Sequence, residues 1–300
     1  MPDPSGATST LTSAPPPPPA GDKAPTTRVP RRKRPFGRRL VSGVSSLWLL
    51  VAIAILWQVV APLSPTLYFP PLSKIFVQFG QDWFTGDPSS LFLSQHFFDA
   101  ALPSLRRLAP GWGLALVVGI PVGILLGRSA VAAAMYFPFI RFWLAEPKSA
   151  IIPVAVQIFG IADSMNVFLI FVGTVGLIIV NTADGVAGVD RMTLQTARSL
   201  RISPFTLYRR VLVPAAMPGI LTGVRVSIGV ALILMVISEL YATTAGVGYE
   251  ILLNQQSFKF LQMWSAFLLI GVISVLLNVV LELIEKRVLR WQRREGLSGQ

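Results

Sequence analysis

The chain has 300 residues, of which 53% are hydrophobic and only 13% charged; it has no cysteine and a formal net charge of +12. A soluble domain is about a quarter charged, so this composition points to a membrane protein. The lack of cysteine excludes a disulfide framework and a thiolate metal site. The basic residues gather in clusters between apolar runs, the pattern of orientation signals in a bilayer rather than of a nucleic-acid-binding surface.

Residues 1–30, "MPDPSGATSTLTSAPPPPPAGDKAPTTRVP", hold almost nothing to bury. They read as a disordered tail with a locally extended proline run. "RRKRPFGRR" (residues 31–39) then precedes an apolar run and reads as a cluster that holds this end in the cytoplasm. That apolar run is too long for a signal peptide, and no small-residue cleavage site closes it. The expected division is a tail at 1–39, a transmembrane domain at 40–294 and a short tail at 295–300.

A crossing helix needs about 20 mostly apolar residues. Residues 41–61, 108–127, 164–183, 218–239 and 261–281 qualify, the fourth with Arg225 inside it. Region 130–162 holds Arg141, Glu146, Pro147, Lys148 and Pro153, and on its own reads as one crossing, two short ones or a re-entrant piece. Charge parity decides. Basic residues crowd the N-terminal segment, residues 184–217 and the tail "EKRVLRWQRRE", which places all three on the cytoplasmic side. Only one crossing at about 137–159 keeps the 184–217 segment inside. The expectation is therefore an all-α polytopic protein with six transmembrane helices and both termini cytoplasmic.

Residues 68–105 are amphipathic and turn-marked, and are expected to form interfacial helices on the outer side. His96, the only histidine, reads there as an interfacial polar residue. Glycines 113, 119, 123 and 127 repeat at near-four spacing, a sign of tight helix packing.

Residues 196–220, "TARSLRISPFTLYRRVLVPAAMPGI", interrupt the apolar pattern for longer than a connection needs. Residues 190–200 are good helix formers. Ser203 is placed to cap a second helix with Pro204 at its first position. Phe205, Tyr208, Val211 and Leu212 share its face, and Pro214 and Pro218 are expected to end it. The result is a cytoplasmic elbow between two spans, either resting on headgroups or docking a partner.

Residues 195–214 resemble the loop of binding-protein-dependent ABC-importer permeases, whose pattern is E-A-A-x3-G-x9-I-x-L-P. Here Gln195, Thr196 and Ala197 are followed by three residues to Arg201 and nine to Val211, Leu212, Val213 and Pro214. The spacing matches throughout. Gln195 replaces the acid, Thr196 the small residue and Arg201 the glycine. "PKSAIIPVAVQIFGIAD" (147–163), residues 209–240 and "GVGYEIL" (246–252) are similar to the nitrate/sulfonate/taurine branch of that family, and the resemblance covers about 45–294.

The resemblance implies a type I importer permease. Its cytoplasmic coupling-helix loop lies at about 184–217, with Gln195, Thr196, Ala197, Leu200, Arg201, Ile202, Pro204 and Phe205 meeting ATPase subunits. It also implies a second permease subunit, expected to be identical, and an external binding protein delivering a small solute such as nitrate, a sulfonate or taurine. The chain has no G-x-x-x-x-G-K-S/T phosphate loop. It is therefore expected to be no enzyme and to hold no cofactor, ATP and Mg²⁺ belonging to the ATPase. Arg201 does not easily permit the unusual backbone or the close approach that the family glycine allows.

Intramembrane polar groups are candidates for the translocation path. These are Gln157, Asn166, Thr174, Arg225 and Glu239, with Asn181 beside them. No catalytic and no metal residue is expected. The alternative, an ion-gradient-driven secondary transporter, calls for more crossings or inverted repeats.

Overall fold

The computed structural model describes residues 36–63 and 68–290, excluding the side chains of residues 36–47 and of Ser89, Arg191 and Arg198. Residues 1–35 of the proline-rich segment and the tail 295–300 lie outside the described residues. The chain divides between Ala52 and Ile53 into two compact units. That division falls within the first helix, α1 (Phe36–Val60), which carries the first expected crossing.

All other regular elements among the described residues are helical: α2 (Leu72–Trp83), α3 (Gln95–Arg128), α4 (Ala130–Ala145), α5 (Ile152–Phe159), α6 (Asp163–Ala187), α7 (Arg191–Ser199), α8 (Pro204–Leu207), α9 (Val213–Ala242), α10 (Val247–Gln256) and α11 (Phe260–Val288). Among the described residues, four helices are long and apolar enough to span a bilayer: α3, α6, the run Pro204–Ala242 and α11.

The core is α3, α6 and α9. Small residues on α3 receive large ones on α6 at constant register: Gly111 meets Ile170, Gly119 meets Ile178 and Gly123 meets Thr182. The two helices therefore run parallel. A Cβ on Gly119 would lie 2.9 Å from Ile178 Cγ2, and one on Gly123 2.6 Å from Thr182 Cβ. Without side chains the backbones approach closely, and dispersion between them replaces a hydrophobic drive that lipid cannot supply. Gly113 differs from the expectation. Nothing lies within 4 Å of its would-be Cβ, and Gly111 occupies the packed position instead. On its other side α6 meets α9 head to tail, where a Cβ on Gly185 would come 2.9 Å from the Gly219 Cα.

Around this core, α10 packs Val247 and Ile251 into the α3–α9 cluster. The outer side of α11 presents Val275, Leu276, Val279, Val280 and Leu283 as exposed apolar groups. Trp57 in α1 meets Trp264 in α11 edge to face at 5.0 Å. The Trp264 indole donates to the Tyr68 carbonyl at 2.9 Å.

Three expectations are corrected. First, residues 95–105 are not a separate interfacial piece. They are the first turns of α3, capped by Ser94, whose hydroxyl accepts from Phe97 N at 3.2 Å. At 1.5 Å per residue, a 34-residue helix is roughly 50 Å long, more than the roughly 30 Å hydrocarbon core. Its three internal prolines, Pro103, Pro110 and Pro121, are tolerated within this packed bundle.

Second, residues 137–159 are not one continuous helix. Pro147 disfavours helical backbone at the preceding residue, and Glu146 turns out at ψ 135°. A 3₁₀ turn, Lys148–Ile151, then leads into α5 with a proline in its first turn. The Lys148 ammonium donates to the Trp143 carbonyl and, at 3.0 Å, to the Glu146 carbonyl. It thus satisfies carbonyls that the break sets free.

Third, Pro214 and Pro218 do not end the elbow helix. Helix continues from Pro204 to Ala242, and Tyr208–Leu212 widens into a π turn just before Pro214. A proline ring clashes with the carbonyl four residues earlier and leaves it without a donor. The wider turn accommodates this without a break.

Candidate functional site

The elbow is built from its caps. Asp190 starts α7: its carboxylate accepts from Met192 N at 3.2 Å and from the Thr193 hydroxyl at 3.4 Å. Arg201 stops the helix at φ +50°. The Leu200 N–H donates to Thr196 O at 3.1 Å and the Ile202 N–H reaches back to Ala197 O at 3.4 Å. A left-handed residue followed by this long back-bond is a Schellman closure, where glycine is the usual occupant. Arg201 therefore holds, despite its side chain, a left-handed backbone that glycine takes most readily. Ser203 caps α8 as expected, accepting from Thr206 N at 3.4 Å.

The coupling candidates divide by exposure. Ala197 is buried and Ile202 half-buried, so they join the elbow to the body. Gln195, Thr196, Arg201 and Pro204 are exposed. Met192, Leu200 and Phe205 present large apolar side chains that are 69%, 70% and 73% exposed. Phe205 thus leaves the face that Tyr208, Val211 and Leu212 turn toward the protein. Behind the elbow is a cavity of about 520 Å³ lined by Arg128, Phe137, Asp184, Leu194, Ile202 and Leu207, among others. Arg128 lies 4.6 Å over the Tyr208 ring there.

The path candidates do not come together. Gln157 is exposed on α5. Asn166 and Thr174 are fully buried in α6. The Thr174 hydroxyl donates to its own helix at Ile170 O, 2.7 Å away, and Asn181 does likewise toward Leu177 O at 2.8 Å. Arg225 pairs with Glu285, tying α9 to α11. Glu239 lies 14 residues further along the same helix, roughly 21 Å away.

At the end of the bundle opposite the elbow, Glu239 is 0% exposed and belongs to a polar cluster. Its Oε1 accepts from Arg107 Nη1 at 2.9 Å. Its Oε2 accepts from the Ser104 hydroxyl and the Gly248 N–H, both at 2.9 Å. Ser104 in turn accepts from Val247 N at 2.9 Å, and Arg107 Nη1 also reaches the Ala245 carbonyl at 2.6 Å. Gly246 sits at φ +124°, where a Cβ would meet the Glu239 carboxylate at 2.5 Å, so only glycine fits. Arg107 Nε donates to Asp163 at 2.6 Å. Ser104, Arg107 and Asp163 are absent from the sequence-derived candidates. The signal was a lone carboxylate in an apolar helix, which calls for a cation at matching depth, and Ser104 and Arg107 lie three apart on one helix face.

Residues 119–294 match the family described as the binding-protein-dependent transport system inner membrane component. The chain belongs to this family. Within it, the chain falls in the nitrate/sulfonate/taurine branch. It is 33% identical over 205 residues to a probable ABC transporter permease of Brucella abortus, covering 68% of this chain and 82% of that one. It is 29% identical over 276 residues to the putative aliphatic sulfonates transport permease SsuC of Bacillus subtilis, covering 91% and 96%. The fold is similar to a chain of the inward-facing MetNI methionine ABC transporter, with TM-score 0.58 and 16% identity over 65% of this chain and 99% of that one. The permease is thus a multi-pass membrane protein and a transport component rather than a catalytic subunit. Membership in the family also decides against the gradient-driven alternative.

Proposed function

We propose that this chain is one of two identical permease subunits of an importer driven by separate ATPase subunits, its elbow being the docking element. Residues 195–205 would enter a groove on the ATPase, which binds the nucleotide and Mg²⁺. An external binding protein delivers the solute, a small anion of the sulfonate, taurine or nitrate kind. Counting α1 and the broken α4–α5 pair with the four long helices makes six crossings. Both termini and the elbow then lie in the cytoplasm, and the Arg107–Glu239 cluster lies at the outer end.

The observation that carries this reading is the uninterrupted helix from Pro204 to Ala242. A push on Phe205 acts on one end of a rod whose other end holds Glu239. No loop intervenes to absorb the motion. Three exposed apolar side chains on a capped, polar elbow are costly in water, and a protein groove would bury them.

A tagged pull-down from native membranes in mild detergent tests the proposal. The ATPase is expected at one copy per permease, and is expected to be lost when Phe205→Ala and Arg201→Glu are combined. A lone permease oligomer from wild-type membranes would overturn the reading. An undiminished ATPase yield from the double variant would remove the elbow from the interface.

A further inference from the structure

We propose that Arg107 is a positioning residue of the outer end, and that its contact with Asp163 is a latch arm that opens and recloses in each transport cycle. The proposal rests on the importer reading above. Arg107 has one permanent side and one releasable side. On the permanent side, Nη1 is held by Glu239 and by the Ala245 carbonyl. Glu239 is itself fully enclosed by Ser104 and Gly248. This joins α3, α9 and the start of α10 into one body. A buried charge there stays with its partner, because separation would leave both ions stranded in a low dielectric.

The releasable side is Asp163. Its side chain is 72% exposed, against 7% for Arg107. Water can therefore take over at the Asp163 carboxylate as they separate, while Glu239 keeps the buried guanidinium neutralised, so opening strands neither charge. Asp163 also begins α6, which follows a bend at Gly160 (φ +68°) after the short helix α5. The arm thus joins a fixed block to a helix end whose lead-in turns at a glycine with open space around it.

A second observation marks the same helix end. Asn166 lies one turn further along α6 and is 0% exposed. Its Oδ1 accepts no hydrogen bond among the described residues. An unmet buried acceptor is costly, so the closed arrangement leaves this end of α6 polar and underbonded, with a motive to move. The cluster itself is not a solute site. Arg107, Glu239 and Asp163 sum to one negative charge, which repels an anion.

The test uses the reconstituted complex of permease, ATPase and binding protein, with ATP hydrolysis as readout, so no solute need be identified. Asp163→Asn removes only the exposed arm. Hydrolysis without binding protein is expected to rise up to about fivefold, the population shift that an ion pair with one solvated partner supports. Asp163→Glu is expected to return it to the wild-type rate. Wild-type hydrolysis in Asp163→Asn, with and without binding protein, would overturn the latch. A failure of Asp163→Asn to fold would also overturn it, because the arm would then be structural.

A second variant locks the arm shut. Met165 and Ala242 share a buried cluster across the outer end, and the chain has no cysteine of its own. A disulfide in the Met165→Cys/Ala242→Cys variant is expected to abolish stimulation by binding protein, and reductant to restore it. Full stimulation in the bridged protein would overturn the proposal. Absence of an ATPase from the wild-type complex would instead overturn the importer reading, so the two failures are distinct.

Discussion

The two ends of the α3–α6–α9 bundle are closed by opposite means. At the end opposite the elbow, Arg107 and Glu239 hold three segments, α3, α9 and the start of α10, through directed, charge-assisted bonds in a buried cluster. At the elbow end, Gly185 and Gly219 hold α6 to α9 by the absence of side chains. A charged clamp specifies geometry and fails at once if one ion is removed. A glycine contact specifies only distance. It lets the helices roll but admits no added atom. On the proposed function, the end that would receive force from the ATPase has the contact that tolerates rotation, and the far end has the contact that fixes orientation.

The largest break should come at the outer end. Glu239→Ala leaves the Arg107 guanidinium buried without its main counter-charge, a cost of about 3–5 kcal/mol. Loss of folded protein, or a large drop in the melting temperature of the detergent-purified permease, is expected. The paired variant Arg107→Met/Glu239→Met should recover part of that loss, because no stranded ion remains. A small effect of Glu239→Ala would mean that water reaches Arg107 and that the clamp is not sealed.

At the elbow end, Gly219→Val forces a side chain against the Gly185 backbone, which cannot rotate away as a side chain would. Overpacking of this kind costs about 1–3 kcal/mol. Gly113→Val is the matching control. It faces open space and should change stability by no more than about 0.5 kcal/mol. Thermal unfolding of the two variants side by side sharpens the comparison. Equal losses would mean that spacing, not contact, decides which glycines matter.

The glycine pair also shows where sequence reading reached and where it stopped. Long apolar runs made the spans legible because a bilayer demands length and composition, both one-dimensional quantities. Caps were legible too: Ser203 and Pro204 carry local chemistry that needs no tertiary contact. Gly113 and Gly111 could not be told apart, because spacing gives a helix face but not what lies against it. The continuity through Pro214 was missed because a π turn shifts the register by one residue and has no composition of its own. Arg107 was missed for a related reason. It stood at the polar edge of a span, and nothing local shows that α3 and α9 place it at the depth of Glu239.

The smallest effect, and the finest test of the comparison, lies at Arg201. Its backbone has the left-handed conformation that costs a non-glycine residue about 1–2 kcal/mol. Glycine there removes this strain but enlarges the unfolded chain's freedom, which takes back roughly 0.5–1 kcal/mol. Arg201→Gly should therefore stabilise the α7 closure by about 0–1.5 kcal/mol, read as slower hydrogen exchange at the Leu200 and Ile202 amides. Arg201→Val should speed exchange at both, because a β-branched side chain fits that conformation worst. ATPase recovery then separates geometry from charge. If Arg201→Gly retains the ATPase while Arg201→Glu loses it, the position needs its backbone shape and the absence of a negative charge. If both lose it, the guanidinium itself meets an acidic group on the partner, and the elbow end also carries a directed ionic contact, made between subunits.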